Sequence, residues 1–150
     1  MPTSSIRFVR EWREFTRSDG VSIHRPVLPV FVRTQCGFLE RDFLVDSGAD
    51  LSMAPYELFR QLGRRWQDGE PITLRGISQR KVCIVQGRIH EVDILIPDAD
   101  VMLRLLMVFA RGNVPFVLGR EGFFDYFDVA FEKAERRTVF QLEQQQRGER

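Results

Sequence analysis

Cysteine is scarce in this sequence. The 150 residues include only Cys36 and Cys83, which are far apart along the chain. Two separated cysteines without an export signal are typical of reduced thiols rather than of a disulfide framework. The same scarcity argues against zinc, because these two residues together with His24 and His90 contain no closely spaced ligand pair. We therefore expect no metal site.

Long apolar runs are also missing. The longest, at 105–110, falls far short of the roughly 20 residues that span a bilayer. Residues 1–10 alternate polar and apolar side chains and contain no apolar stretch of about 7–15 residues, which a signal peptide requires. We therefore expect a soluble, cytoplasmic protein without a membrane partner.

Neither sign of charge is in excess. The sequence has 22 Lys and Arg against 21 Asp and Glu, a formal net charge of +1, which leaves no footprint for nucleic acid binding. Hydrophobic residues make up 43% of the chain and 13 residues are Phe, which suits a packed core. The length fits one domain. We place this domain at 1–142, followed by a flexible tail at 143–150 that is rich in Gln and charged residues.

The dominant pattern is one of short strands. Apolar residues alternate or cluster in short runs that Gly, Pro and Asp interrupt, which predicts a mainly β protein. Two short helices are expected, one that begins at Pro55 and stops at Gly63 and one at 119–124. The predicted strands lie near 6–15, 27–33, 38–45, 71–75, 81–86, 88–96, 101–109, 116–118, 127–131 and 137–142.

One motif stands at the end of an apolar strand. Residues 43–50 read Phe-Leu-Val-Asp-Ser-Gly-Ala-Asp. Asp-Ser-Gly alone is a common turn, because Asp and Ser bond to nearby backbone and Gly permits positive φ. Catalysis requires a carboxylate on a turn at a strand end, a hydroxyl that braces the loop, and a Gly that lets substrate backbone approach. Asp46, Ser47 and Gly48 supply all three.

A second motif lies about 70 positions later. Residues 114–120 read Val-Pro-Phe-Val-Leu-Gly-Arg. Together the two motifs resemble the retropepsin-like aspartic protease family, in which Asp-Ser/Thr-Gly-Ala opens the active-site loop and apolar-apolar-Gly-Arg marks the strand behind it. The resemblance spans 38–142, and 118–127 is particularly similar to bacterial single-domain members. It implies a mainly β, single-domain, closed β-barrel with a flap hairpin and one or two short helices.

The resemblance implies a role for several residues. Asp46 would share a proton with its copy in a second subunit and activate water for attack on a peptide carbonyl. Ser47 would hydrogen-bond to the opposite loop, and Gly48 would present its carbonyl to a substrate N–H. Asp50 would pair with Arg120 and brace the loop. Such a site needs no metal or other cofactor.

Further loop residues would complete the site. By the same resemblance, Ala49 and Asp50 would contact substrate, and Gly119 would give structural support together with Arg120. Relatives with a hydroxyl in place of Ala49 add a hydrogen bond to the catalytic carboxylate, which favours its charged form. Because Ala lacks this hydroxyl, we expect activity nearer roughly pH 5–7 than in the strongly acidic range.

A flap would cover the bound substrate. In the family, a β-hairpin folds over the site and excludes water. The candidate is 72–82, in which Gly76, Ile77 and Ser78 would contact substrate. It lies between the two motifs, as the family requires, but contains a single Gly. An ordinary hairpin with a polar tip is an equal alternative.

The number of motifs predicts the assembly. The chain carries one Asp-Ser-Gly, so a two-Asp site requires a homodimer with its two-fold axis through the Asp46 loops. Terminal strands usually complete this interface in the family, which makes 6–10 and 138–142 candidates, although both also suit edge strands of a monomer. The expected activity is an endopeptidase on peptide or protein substrates. The alternative is a non-catalytic module that binds extended peptides by strand addition.

Overall fold

The computed structural model describes residues 5–77 and 82–143. This part of the chain is mainly β, as the sequence predicts. Its strands are β1 (Ser5–Glu11), β2 (Arg13–Thr16), β3 (Ser22–Arg25), β4 (Val27–Thr34), β5 (Gly37–Val45), β6 (Ser52–Pro55), β7 (Glu70–Ile77), β8 (Val82–Ile96), β9 (Val101–Ala110), β10 (Val117–Leu118), β11 (Asp128–Glu132) and β12 (Arg137–Glu143).

The first predicted helix is confirmed. Helix α1 (Tyr56–Phe59) begins directly after Pro55 and continues as a 3₁₀ turn at Arg60–Leu62, with Gly63 as the residue that ends it. Leu58 and Phe59 are buried, so packing holds a segment too short to form a stable helix alone. A second 3₁₀ turn, Trp66–Asp68, leads into β7.

Seven strands form the main sheet in the order β4-β5-β10-β6-β9-β8-β7. β4 also pairs with β8, through Phe31 with Leu95 and Val32 with Ile94, so six of these strands close into a ring. Buried residues recur at every second position, as the pleat of a strand requires. They include Leu28, Val30 and Val32 in β4, Val92, Ile94 and Ile96 in β8, and Leu103, Leu105 and Met107 in β9.

The two ends of the described chain meet in a smaller sheet of order β1-β12-β11. β1 and β12 pair along seven residues, from Ser5 opposite Glu143 to Glu11 opposite Arg137. Phe8 stacks on Phe140 with ring centroids 4.7 Å apart. Because β12 lies between two partners, β1 but not β12 is an edge strand in this part of the chain.

The strand predicted at 6–15 is two strands with different partners. β1 pairs with β12, whereas β2 pairs with β3 in a separate hairpin that the sequence does not predict. Trp12 lies between β1 and β2. Its backbone N–H donates to the Arg136 carbonyl at 2.7 Å, and its Nε1 donates to the Thr138 hydroxyl at 2.8 Å. The first of these bonds continues the β1–β12 pairing by one residue, and from Arg13 onward the chain pairs with β3 instead.

The strands predicted at 81–86 and 88–96 are one continuous strand, β8. The sequence predicts a break at Gly87, but this residue stays paired with Ile72 on one side and Ala110 on the other. A Cβ at Gly87 would lie 2.7 Å from the Phe109 carbonyl oxygen, so Gly here permits close approach of β9.

The helix predicted at 119–124 is wrong, because this segment forms turns. Gly122 has a φ of 93°, which no right-handed helix accommodates. Its N–H donates to the Asp125 carboxylate at 3.0 Å. A polar side chain therefore takes the N–H that helix formation would use, and the chain turns toward β11.

Several predictions concern residues at the limits of the described chain. β12 extends to Glu143, and the remainder of the predicted tail, 144–150, lies outside the described residues.

Cys36 is an exposed free thiol, whereas the side chain of Cys83 is not described. Within 5–77 and 82–143, no helix is long and apolar enough to cross a membrane, and no group of three His, Cys, Asp or Glu side chains could hold a metal ion.

Candidate active site

Asp46 lies where β5 ends. Its backbone N–H donates to the Leu118 carbonyl at 3.0 Å, so the neighbouring strand fixes its position. The Gly48 N–H donates to Asp46 Oδ1 at 2.8 Å, and the Ala49 N–H donates to the Asp46 carbonyl at 3.3 Å. Asp46 is partly exposed. One carboxylate oxygen is thus held by the loop's own backbone in a side chain that solvent still reaches.

The short strand β10 passes behind this loop, between the strands on either side of it. It runs parallel to β5, with Val117 opposite Leu44, and antiparallel to β6, with Val117 opposite Met53. β5 enters the loop and β6 leaves it. One buried strand therefore ties both ends of the Asp46 loop together.

Ser52 is a residue that the sequence does not single out. It is fully buried, and its hydroxyl accepts a hydrogen bond from the Gly119 N–H at 3.0 Å. This bond joins the start of β6 to the residue after β10. A polar residue between Leu51 and Met53 is the only sequence signal that marks it.

Gly119 makes the closest backbone approach at the site. A Cβ on this residue would lie 2.6 Å from the carbonyl carbon and oxygen of Leu51 and 2.9 Å from the carbonyl oxygen of Ala49. These are backbone atoms of the Asp46 loop, which cannot rotate away as a side chain can. A residue with a side chain would therefore push β10 and the loop apart.

Backbone bonds continue after Gly119. The Arg120 N–H donates to the Ala49 carbonyl and the Glu121 N–H donates to the Asp50 carbonyl, both at 2.8 Å. The Arg120 guanidinium also forms an ion pair with the Asp50 carboxylate. These side chains are 58% and 76% exposed, respectively, so in a single chain the pair contributes little stability.

The structure thus brings together one group of the predicted site residues. Asp46, Ala49 and Asp50 contact the segment that contains Gly119 and Arg120 directly. Ser47 and Gly48 belong to the same loop and are exposed.

The predicted flap residues lie on a different strand pair. β7 and β8 form a hairpin in which Gly76 is opposite Cys83 and Ile77 is opposite Val82. The tip, including Ser78, lies outside the described residues. In the described chain β7 is hydrogen-bonded to β8 and not to β5 or β10, so no backbone pairing links Gly76 and Ile77 to the Asp46 loop.

The solved structures that are similar to this chain include two proteases. A retropepsin-like aspartic protease from Rickettsia conorii is 14% identical, with 95% of each chain covered and a TM-score of 0.59. The EIAV protease in complex with the inhibitor HBY-793 is 24% identical over 64% of this chain and 82% of that one, with a TM-score of 0.44. No protein-family model matches the sequence, and no curated protein matches it significantly.

The likeness to the Rickettsia structure extends over nearly the whole chain. Together with the ring of strands, the hairpin and the strand that passes behind the Asp46 loop, it defines a retropepsin-like fold. The prediction of a mainly β, retropepsin-like fold is therefore confirmed.

Proposed function

We propose that this protein is an aspartic endopeptidase that acts as a homodimer. The observation that carries the proposal is that hydrogen bonds hold the Asp46 loop in place. A partly exposed carboxylate, bonded through one oxygen to the Gly48 N–H, sits on a loop that β10 holds from behind. The Rickettsia structure that resembles this chain is a retropepsin-like aspartic protease, which supports the same activity here.

The proposed chemistry uses two Asp46 carboxyl groups, one from each subunit. Two carboxylates about 3 Å apart cannot both ionise, so the pair holds one proton. The ionised group takes a proton from water as the water oxygen attacks the peptide carbonyl carbon, and the protonated group gives its proton to the carbonyl oxygen. The tetrahedral intermediate then collapses as the group that took the proton from water gives it to the nitrogen, a hydroxyl of the intermediate returns a proton to the other carboxylate, and the C–N bond breaks. No covalent enzyme intermediate and no cofactor is involved.

The remaining loop residues would position the dyad and the substrate. Ser47 would bond across the two-fold axis and Gly48 would accept a substrate N–H through its carbonyl. Ala49 would line the site. The ion pair of Asp50 with Arg120 would gain strength if a partner subunit covered it, because shielding from water strengthens the attraction between charges.

The hairpin would act as the flap. We propose that Gly76, Ile77 and Ser78 contact substrate from above the loop and exclude water from it. Its backbone supports this role, since β7 and β8 pair along their described length up to Ile77 and Val82.

A second subunit is part of the proposal because one chain supplies one carboxylate. An isologous contact through the Asp46 loops would bring the two copies together. β1 is the terminal strand with a free edge in the described chain and so is a candidate for the rest of the interface.

The test is hydrolysis of a mixed peptide library between pH 3.5 and 7.5 by the wild-type protein and by Asp46→Asn. Asn is nearly isosteric with Asp but cannot act as the base. Cleavage by the wild type and its loss in the variant, with folding and dimerisation unchanged, is the expected result. Cleavage that survives the substitution would exclude Asp46 as the catalytic group.

A peptide-binding module without catalysis is the second candidate. It is favoured by the position of β7, which is the edge of the seven-stranded sheet among the described residues and could accept an added strand. A monomer that binds extended peptides and cleaves none of the library would establish this alternative.

A further inference from the structure

His90 is a buried histidine that the proposed chemistry does not use. It lies on β8, is 6% exposed, and is surrounded by aromatic rings. The ring centroids of Phe59, Trp66 and Phe109 lie 4.6, 6.0 and 6.1 Å from that of His90. We refer to these four residues as the His90 box.

One nitrogen of His90 has no partner in the box. Nε2 is buried, and no polar atom of the described residues hydrogen-bonds to it. The backbone of Gly69 lies against this nitrogen, so closely that a Cβ on Gly69 would overlap it. If Nε2 carried a proton, that N–H would be buried against Gly69 without an acceptor, and burying an N–H without a partner is costly.

The surroundings of the ring favour its neutral form. Burial lowers the pKa of His90, and the nearby guanidinium groups of Arg64 and Arg88 lower it further. A backbone hydrogen bond with Trp66 and the carboxylate of Asp68 act in the opposite direction but do not outweigh them. Helix α1 and strand β9 face His90 with Phe59 and Phe109 respectively, which carry no charge.

The His90 box holds the base of the β7–β8 hairpin. Trp66 begins the 3₁₀ turn that precedes Gly69, and β7 starts at the next residue, Glu70. Arg88 Nη1 donates to the Gly69 carbonyl at 2.8 Å. The segment 66–69 is therefore fixed between His90 on one side and the hairpin on the other.

We propose that His90 is an acid-sensitive clamp, whose protonation opens the 66–69 turn and loosens the base of the hairpin. A charged imidazolium in the box needs an acceptor for its second N–H, and water reaches Nε2 only if Gly69 moves away. Because β7 follows Gly69 directly, this movement is transmitted to the hairpin. The inference concerns the hairpin itself and holds whether or not the protein cleaves peptides.

The direction of the pH response follows from the lowered pKa. The unfolded or opened chain binds the proton with the ordinary pKa of about 6.5, whereas the closed box resists it. The contribution of neutral His90 to closure is therefore complete above about pH 6.5 and is progressively lost as the pH falls below that value. In total the equilibrium constant for closure falls by roughly tenfold for each unit by which the pKa of His90 is lower in the closed box than in the open chain.

Amide hydrogen exchange of the full chain at pH 7.5, 6.5, 5.5 and 4.5 tests the clamp. After correction for intrinsic exchange, protection of the amides at 66–77 should fall roughly tenfold or more between pH 7.5 and 4.5, while the amides of β9 change little. In His90→Phe a phenyl ring that cannot titrate replaces the imidazole, so the loss of protection at low pH should disappear. His90→Leu serves the same purpose if the larger Phe crowds Gly69.

The second histidine supplies the matched control. His24→Gln should leave the pH response of 66–77 intact. The proposal is overturned if wild-type protection at 66–77 stays constant down to pH 4.5, or if His90→Phe and His90→Leu show the same fall as the wild type. A proton titration of the His90 imidazole by NMR with a midpoint at or above 6.5 would also contradict it.

Discussion

Different kinds of contact hold the Asp46 loop and the base of the β7–β8 hairpin. Around Asp46 the bonds run mainly from backbone to backbone, and a Cβ on Gly119 would meet the backbone of Leu51. At the base of the hairpin, the side chain of His90 fills the space under Gly69. Backbone atoms have little freedom and no charge to gain, whereas a histidine can both rotate and titrate. The loop is therefore built to stay in place and the hairpin base is built to respond.

Gly119→Ala should have the largest effect, because its obstacle is backbone. The Cβ would lie 2.6 Å from Leu51 backbone atoms, and relief requires moving β10 or the loop. We expect a loss of more than about 3 kcal/mol in the free energy of unfolding and loss of any Asp46-dependent activity. Urea denaturation followed by circular dichroism measures the first.

Gly20→Ala is the control for that substitution. Gly20 has a φ of 82°, but nothing lies within 4 Å of an added Cβ. It should cost only the backbone strain, about 1 kcal/mol. Equal losses in Gly20→Ala and Gly119→Ala would remove steric contact as the explanation.

Gly69→Ala should have a smaller effect, about 2 kcal/mol, because its obstacle is a side chain that can move. The change tests whether contact between the new methyl group and the His90 ring causes the loss of stability. In the double variant Gly69→Ala/His90→Ala, the new methyl group should fill space that the imidazole leaves. The two costs should then be less than additive, as a double-mutant cycle measures, whereas strict additivity would contradict a direct contact.

Ser52→Ala should cost about 1.5 kcal/mol in the free energy of unfolding. It removes the only hydroxyl that the Gly119 N–H uses and leaves that N–H buried without a partner. Ser52→Thr preserves the hydroxyl and is the matched variant for thermal denaturation. A wild-type melting temperature in Ser52→Ala would show that the bond is not needed.

Asp50→Asn should change stability least, by less than about 1 kcal/mol, since its pair with Arg120 is exposed in one chain. In a dimer that covers the pair, the same substitution should weaken self-association. Sedimentation at several concentrations measures this. A large loss of stability in the monomer would instead mark the pair as structural.

The sequence predicts the Asp46 loop better than the segment that braces it. An apolar strand end, Phe43 to Val45, followed by Asp-Ser-Gly is local information, and both β5 and the loop are where this pattern indicates. The turns at 119–124 depend on where the Arg120 and Glu121 N–H groups find acceptors, and those acceptors lie about 70 residues earlier. Local pattern carries no such information, so a helix is predicted wrongly.

Strand β6 and the surroundings of His90 also depend on residues that are distant in the sequence. β6 contains four residues and ends at Pro55, and its partners β9 and β10 are distant in the sequence, so no local pattern identifies it. The isolation of His90 in an aromatic box is likewise invisible, because Phe59, Trp66 and Phe109 come from three separate segments.

A mixing experiment tests the central claim most directly. Wild-type protein and Asp46→Asn are combined in equal amounts, allowed to exchange subunits, and assayed for peptide cleavage against the same total concentration of wild type. If each site needs one Asp46 from each chain, only wild-type pairs are active, and the mixture should retain about a quarter of the activity. Retention of about half would mean that each chain acts alone and would contradict the shared dyad.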